Sequence, residues 1–440
     1  AITVGASGDT VTLAAGASQS GFGQTYSAVS WDTTPKTGLF TAVSGVGYFC
    51  NTTSAPFTVT LPAGTAGDVI AFADYAATWQ TNNLTVSPNG TEKIGGTNSN
   101  VILNTEGQSV TFVYVDSTQG WINTMDSTSN VRGNAFIVAT GGSEVIVGDF
   151  KTHIFTGPGS FCVSAISPTP ACNAINYIVV GGGATGGTGR GGGGGAGGFR
   201  MFSSAPGSNS PLNAPAGLPV SVQSYPIVIG GGGAAIPFCG SKLVGNPGTN
   251  SSFSTIISAG GGGGGSGPAA PLPGARAGGS GGGGSFNVPG DTGGAGNTPP
   301  VSPPQGNNGS LSCSAAPSSP PDRHGGGGGG AGAAGGPGAP ENGGDGSYIA
   351  EPFVGPTAPS YGTPGPVGST RYFSGGGGGG FESSGGGAGG AGGGATGTNT
   401  SSSTAATINT GGGGGAIGEQ PGTVAGGGGS GIVMIRYKFQ

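Results

Sequence analysis

Side chains able to do acid–base or ligand chemistry are few in this sequence, and they are scattered. Asp68, Asp74, Glu92, Glu106 and Asp116 fall in one stretch of alternating apolar and polar residues. Glycoside hydrolysis uses two carboxylates at a set separation, one as acid and the other as base or nucleophile. These five sit near turn-forming residues, which favours turn and cap carboxylates over a catalytic pair. His153 stands inside THIFT and reads as a packed or edge residue rather than a base. Asp322-Arg323-His324 precedes a run of glycines without an accompanying nucleophile, so a solvated loop is favoured there over a catalytic site. Cys50, Cys162, Cys172, Cys239 and Cys313 form no C-x-x-C, and the two histidines add no zinc-ligand spacing. Matches to GxGxxG arise from composition alone and lack the lysine-serine pair and the following helix of a phosphate loop. No catalytic residue, metal or cofactor is expected, and no enzyme.

Binding chemistry is better represented. Phe199 to Phe202, Ile236 to Phe238, Phe286, Arg323, His324, Tyr348, Phe353, Tyr361, Arg371, Tyr372, Phe373 and Phe381 place aromatics or arginines beside glycine blocks. Such side chains on stiff supports lose little entropy on contact, which is what a binding surface needs. The alternative is that they cap glycine segments or pack between them. For Arg371 to Phe373 and Asp322 to His324 the two stand level. Cys162 and Cys172 flank a short proline-containing loop and could bridge, as could Cys239 and Cys313, leaving Cys50 over; buried free thiols are equally consistent. Asn-x-Ser/Thr occurs at Asn51, Asn83, Asn89, Asn250, Asn308 and Asn399, sites open to glycosylation in an extracellular setting.

The elements that must position these groups are of two kinds. Glycine blocks recur at 181–198, 230–233, 260–265, 278–284, 325–340, 375–380, 385–397, 411–415 and 426–429. In 325–340 the residues Ala331, Ala334, Pro337 and Pro340 fall every third position. Period three belongs to the polyproline-type helix, about 3 residues per turn and 3.1 Å per residue, with no internal hydrogen bonds. Its N–H and C=O groups point outward, so such rods persist inside a protein by bonding to one another. Ala184, Arg190 and Ala196 keep the same frame within 181–198. The expectation is a bundle of parallel rods, with the non-glycine residues on one edge facing solvent or a flanking element. The apolar segments between blocks favour this over disordered low complexity, even with 107 Gly and 33 Pro in 440 residues.

The second kind is strand. GYFCNTT, FTVTLP, DVIAFADY, NLTVSP, SVTFVYVD and GWINTM alternate apolar and polar residues between turn signals, as half-buried antiparallel strands do. Trp31, Phe49, Phe57, Phe72, Tyr75, Trp79, Phe112, Tyr114 and Trp121 are the expected core and rim. Later, β-runs pass directly into glycine at NAINYIVVGGG, YPIVIGGGG and STIISAGGGGG, and GIVMIRYKF supplies a final strand closing that sheet. No segment carries a helical period. The expected architecture is all-β plus polyglycine II helices. Residues 1–30 form an arm or strand able to pair with another subunit or lie loosely attached. Residues 31–130 form an antiparallel β-sandwich-like domain, and 131–440 a β-base carrying a glycine-rich helix bundle.

Twelve Lys and Arg against seventeen Asp and Glu give a net charge of −5. Charged residues make up only 7% of the chain, so nothing draws nucleic acid or an anionic membrane to it. No apolar run is long enough to span a bilayer, so no membrane insertion is expected. Hydroxyls and amides do the solvating, which suits an extracellular or virion surface. At the AITV start no leader is read.

Residues 31–126, through AVSGVGYFCNTTSAPFTVTLP, AGDVIAFADY, TNNLTV and GQSVTFVYVDSTQGW, resemble a β-domain of phage tail-fibre proteins. Residues 150–440 resemble the glycine-rich domain of phage appendage proteins in FTGPGSF, INYIVVGGG, GGGGGAGGFR, NSSFSTIISAGGGGG and GGGGSGIVMIRY. The order is similar to that of the glycine-helix sandwich of distal-tail adhesins, in which loops between rods contact host receptors. The resemblance implies a virion fibre or tip adhesin binding a host cell-surface glycan or outer-membrane protein. It also gives Phe199 and Arg200 a structural role, as part of the GGFR motif. The N-terminal third departs from that pattern, with no coiled coil, repeated shaft or virion anchor. A self-assembling extracellular filament joined by donation of the N-terminal strand is therefore the alternative.

Overall fold

A computed structural model describes residues 29–127, 136–167, 169–205, 210–267, 274–286, 291–312, 323–336, 341–349, 361–367, 370–382 and 385–440. Residues 1–28 of the expected N-terminal arm (1–30), with Cys313, Asp322 and Phe353, lie outside the described residues. The chain divides into two compact units, Ala1–Gly133 and Asn134–Gln440. Among the described residues the secondary structure is strand, apart from one short 3-10 turn, Pro170–Asn173.

The first unit contains β1 (Ser30–Lys36), β2 (Phe40–Thr41), β3 (Val46–Cys50), β4 (Phe57–Thr60), β5 (Val69–Asp74), β6 (Leu84–Ser87), β7 (Val101–Leu103), β8 (Ser109–Asp116) and β9 (Gly120–Ser127). They form two sheets, ordered β1-β3-β5-β8-β9 and β2-β4-β6-β7. From β1 to β6 the chain alternates between the sheets, adding one strand to each in turn. The pairs β1/β3, β3/β5, β2/β4 and β4/β6 are therefore parallel. Only the last strands turn back antiparallel. This corrects the expected all-antiparallel sandwich. Alternation reports which face is buried, and that face has the same period whichever way the neighbour runs. Phe72, Trp79, Phe112 and Trp121 fill the core, while Trp31 and Tyr75 stay at the rim. Cys50 is buried there, and desolvation pushes its thiol up to about 12.

The acidic residues of this unit bind backbone. Asp74 accepts the amides of Thr78, Trp79 and Gly107 at 3.0–3.2 Å. Asp116 accepts those of Thr118 and Gln119, Asp68 that of Thr65, and Glu92 that of Gly64.

The second unit contains β10 (Val138–Thr140), β11 (Ser143–Val147), β12 (Phe150–Phe155), β13 (Gly159–Ala165), β14 (Ala174–Val180), β15 (Phe199–Phe202), β16 (Leu218–Pro219), β17 (Gln223–Val228), β18 (Ile236–Pro237), β19 (Ser251–Phe253), β20 (Ile256–Ser258), β21 (Ser347–Ile349), β22 (Thr363–Pro364), β23 (Arg371–Phe373), β24 (Val424–Ala425) and β25 (Ile432–Lys438). Two larger sheets are ordered β10-β13-β17-β19-β20 and β11-β12-β25-β14-β15. One core holds Phe161, Tyr177, Tyr225, Phe253 and Tyr437. A second, built on the alternate residues Ile178, Val180, Ile432 and Met434, includes Phe199, Ile349 and Phe373. The last strand, β25, lies in the middle of its sheet, between β12 and β14, and six of its seven residues are buried.

β14 runs directly into 181–188, β20 into 259–266 and β23 into 374–380, while 192–198 leads back into β15. The hydrogen bonds of these glycine segments have a period of three. The amides of Gly192, Gly195 and Gly198 donate to the carbonyls of Gly265, Gly262 and Ala259. Those of Gly193 and Ala196 donate to Gly326 and Gly329, and those of Gly194 and Gly197 to Gly414 and Gly411. Its carbonyls in turn accept from 181–187, from Ser280 and Gly283, and from Gly377. Segment 192–198 thus bonds to six neighbours, donating to three and accepting from three. Its neighbours run both ways. Partner numbers fall along 259–265 and rise along 326–329, so the segments are not all parallel as expected.

Close approach explains the glycine. A Cβ added to Gly193 would lie 2.0 Å from the carbonyl oxygen of Gly377, and one on Gly192 1.9 Å from that of Gly283. Ala184, Ala196 and Ala331 are buried, not on a solvent edge, and Ala331 packs against the strands of the β-base beside Ile349 and Phe373, the flanking element the reading allowed. Nor are 181–198 and 325–340 single rods. The first folds back at Arg190, whose φ is +62°, and the described part of the second turns at 331–333.

Candidate functional site

At the end of the bundle remote from β14, the glycine segments stop and charged and aromatic residues begin. Arg190 occupies the turn between 181–188 and 192–198, with its amide donating to the Ile417 carbonyl at 3.1 Å. Phe286 follows segment 278–285, and its amide donates to the Arg190 carbonyl. Arg323 and His324 precede 325–330, while Phe381 and Glu382 follow 375–380 and pair with them through a His324–Phe381 bridge. Glu419 follows 411–418. Backbone bonding between segments far apart in sequence therefore gathers these side chains at one tip.

Their charges interlock. Arg190 contacts Glu419 at 2.5 Å and Glu382 at 3.7 Å, and its guanidinium lies 5.2 Å from the Phe286 ring centroid. Arg323 meets Glu382 at 3.4 Å and the same ring at 5.9 Å. Lys242 pairs with Glu419. Burial raises the pKa of Glu419, but hydrogen bonds from Lys242 and Arg190 outweigh it and hold the carboxyl below its ordinary value. The cluster of Arg190, Lys242, Arg323, Glu382 and Glu419 keeps one net positive charge. The Nε atoms of Arg190 and Arg323 are buried and have no hydrogen-bond partner among the described residues. Beneath it His324 stacks on Phe381 at 5.0 Å, and its Nδ1 lies 3.3 Å from Glu341, with both side chains buried. The arrangement leaves the Arg323 side chain partly exposed at the tip, while Phe286, His324 and Phe381 are buried beneath it. Among the described residues no group of His, Cys, Asp and Glu is placed to hold a metal.

The expected binding residues fall into two sets at opposite ends of segment 374–380. Arg323, His324 and Phe381 belong to the tip. Tyr348, Arg371, Tyr372 and Phe373 belong to the three-stranded sheet β21-β23-β22 at the β-base end, and Tyr361 lies in the bend leading into β22. Phe373 is wholly buried, and Tyr372, Phe381 and His324 are almost so. Their burial favours the packed alternative for these side chains over exposure in binding loops. Tyr348 and Tyr361 remain partly exposed, as do Arg323 and Arg371; Arg371 donates to the Tyr361 and Gly362 carbonyls. Arg190, Lys242, Glu382 and Glu419 escaped sequence reasoning; Arg190, Glu382 and Glu419 adjoin or punctuate glycine blocks, the signal they carry, whereas Lys242 stands in a loop away from any block.

Cys162, Cys172 and Cys239 are exposed free thiols, so Cys162 and Cys172 are not bridged, while the possible Cys239–Cys313 pair involves a residue outside the described ones. Cys162 stands on the outer face of β13, where its Sγ lies 3.3 Å from Ser224 Oγ on β17, whereas Cys172 sits in the 3-10 turn. All six glycosylation sequons have asparagines that are at least partly exposed, Asn250 and Asn308 most fully.

A family model for a glycine-rich domain matches residues 155–438, from the last residue of β12 to the last of β25. The chain belongs to the glycine-rich domain family. The matched region of this glycine-rich domain contains the whole glycine bundle, the tip cluster and most of the β-base. Among curated proteins none matches the chain in sequence. No helix among the described residues is long and apolar enough to cross a membrane.

Proposed function

We propose that this glycine-rich domain protein is a structural and adhesive component of a virion or other extracellular appendage, with no catalytic activity of its own. In this proposal the glycine segments are polyglycine II helices packed side by side on a β-base, and the surface they hold rigid binds a host cell-surface glycan or outer-membrane protein. The observation that carries it is the six-neighbour bonding of 192–198. Period-three donation in three directions is what a threefold helix without internal hydrogen bonds produces. A backbone so cross-linked leaves loop-end side chains pre-positioned, which lowers the entropy cost of contact. Arg323 is the tip candidate, with its Nε unpartnered and its side chain partly exposed.

The test uses the purified full chain on glycan arrays and bacterial outer-membrane preparations. A saturable interaction is expected, weakened about tenfold by Arg323→Ala, which corresponds to roughly 1.4 kcal/mol, with the melting temperature unchanged. Failure to bind any surface preparation would sink adhesion. Growth of open-ended fibres on concentration, lost on deleting residues 1–21, would replace it with the filament-subunit role.

A further inference from the structure

The β-base holds a second polar feature, separate from the tip. Arg436 lies on β25 opposite Thr152 of β12 and Asn176 of β14, and is only 3% exposed. Its guanidinium stacks on Phe150, with Cζ 3.7 Å from the ring centroid. It makes no ion pair or side-chain hydrogen bond with any described residue, and its Nε is buried without a partner. Burying a guanidinium without an anion is costly, because the charge loses its hydration and the stack on Phe150 offsets only part of that loss. Beside it opens a cavity of about 140 Å³, lined by Phe136, Phe150, Cys172, Asn176, Arg436 and Tyr437 among others. That is room for several heavy atoms, since one water needs roughly 10–15 Å³ by the same measure.

We infer that this cavity is a carboxylate-binding site, with Arg436 as the residue that receives the anion. The chemistry favours a planar monoanion. With one face of the guanidinium covered by Phe150, its N–H edges remain for an acceptor lying in the same plane, the geometry of a bidentate carboxylate. The aromatic and apolar lining suits the carbon attached to a carboxyl better than the full hydration shell of phosphate. Lys438 lines the cavity too but is half exposed and paired with Asp149 at 3.4 Å, so Arg436 supplies the uncompensated charge. Asn176 Oδ1 accepts from Ser204, which holds the amide side chain on the cavity wall. A free organic acid and an acidic side chain of a protein partner present the same group. The inference is independent of receptor binding at the tip.

Cys172 lines the cavity and is exposed, so its alkylation serves as the reporter. The full-length protein is labelled with iodoacetamide and each cysteine followed by peptide mass spectrometry, with benzoate, benzamide, phosphate or a blocked aspartate peptide present. Benzoate is expected to slow labelling of Cys172 at least threefold while leaving Cys162 and Cys239 unchanged. Benzamide and phosphate should not protect. Protection by the aspartate peptide would point to an acidic side chain of a partner as the source, and protection by benzoate alone to a free acid. Arg436→Met should abolish protection and, by removing an unpaired buried charge, raise the melting temperature in buffer without carboxylate. Arg436→Lys keeps the charge but should lose most of the protection, because ammonium lacks the planar fork. Equal protection by benzamide or phosphate, or no protection of the unaltered protein at tens of millimolar benzoate, would overturn the assignment. So would undiminished protection in Arg436→Met.

Discussion

His153 shows how one buried side chain ties stability to pH. It is wholly buried, stacked on Tyr437 and edge-on to Phe161. Its Nδ1 lies 2.6 Å from the Gly141 carbonyl, which requires N–H there and leaves Nε2 to accept from Tyr437 Oη at 2.9 Å. Burial lowers its pKa below 6.5, against the smaller opposing pulls of the Gly141 carbonyl and Glu144, with Lys151 adding to the lowering. The unfolded chain therefore binds a proton at higher pH than the folded one. Stability from this residue is complete above about pH 6.5 and is lost as pH falls from there toward the folded-state value, at about 1.4 kcal/mol per unit of difference. The melting temperature should fall between pH 7 and 5 and do so less steeply in His153→Gln. Parallel slopes for the two proteins would assign the acid sensitivity elsewhere. Tyr437 stays protonated throughout, since burial raises its pKa well above the usual phenol range.

At the scale of elements, the glycine segment is defined by what it excludes. Gly193 sits in the central segment, where a Cβ would meet the Gly377 oxygen at 2.0 Å and the Gly328 nitrogen at 3.0 Å. Both contacts are to backbone that is itself bonded on other sides, so neither can move alone. Gly193→Ala should destabilise the second unit by roughly 2–3 kcal/mol or more, as overpacking of a rigid interior does. Gly274→Ala, where nothing lies within 4 Å, should stay within about 0.5 kcal/mol of the parent. Denaturant titration followed by amide exchange across 192–198 compares the two. A Gly193→Ala protein as stable as the Gly274→Ala control would mean that the segments slide apart easily. Exchange across 192–198 at the rate of an unstructured peptide would remove the rigid platform on which the proposed function rests.

For the whole molecule, β25 matters out of proportion to its length. It is the last strand in sequence yet the middle strand of its sheet, and it contributes to both large cores of the second unit. All three tryptophans, Trp31, Trp79 and Trp121, lie in the first unit. Removing residues 432–440 should make the glycine-rich domain sensitive to protease across 136–431. Trp79 and Trp121, fully buried in the first unit, should keep their blue-shifted emission. Loss of that emission together with the glycine-rich domain would mean that the first unit does not fold independently.

The sequence by itself determined that the chain is β-rich without helices, that strands pass into glycine segments, and which positions refuse a side chain. Alternation and glycine spacing are local properties, set by whether a Cβ points inward or has room to exist. It also showed that carboxylates beside turn residues, such as Asp74 and Asp116, have backbone work to do. Only the tertiary structure decided the parallel pairing in the first unit, the mixed directions of the glycine segments, the burial of Phe373 and Tyr372, and the meeting of Arg190 with Glu419 across 229 residues. Neither periodicity nor composition states which segment becomes a neighbour. That choice is made when six backbones bond to one, and only then do scattered charges acquire partners or, as at Arg436, remain without one.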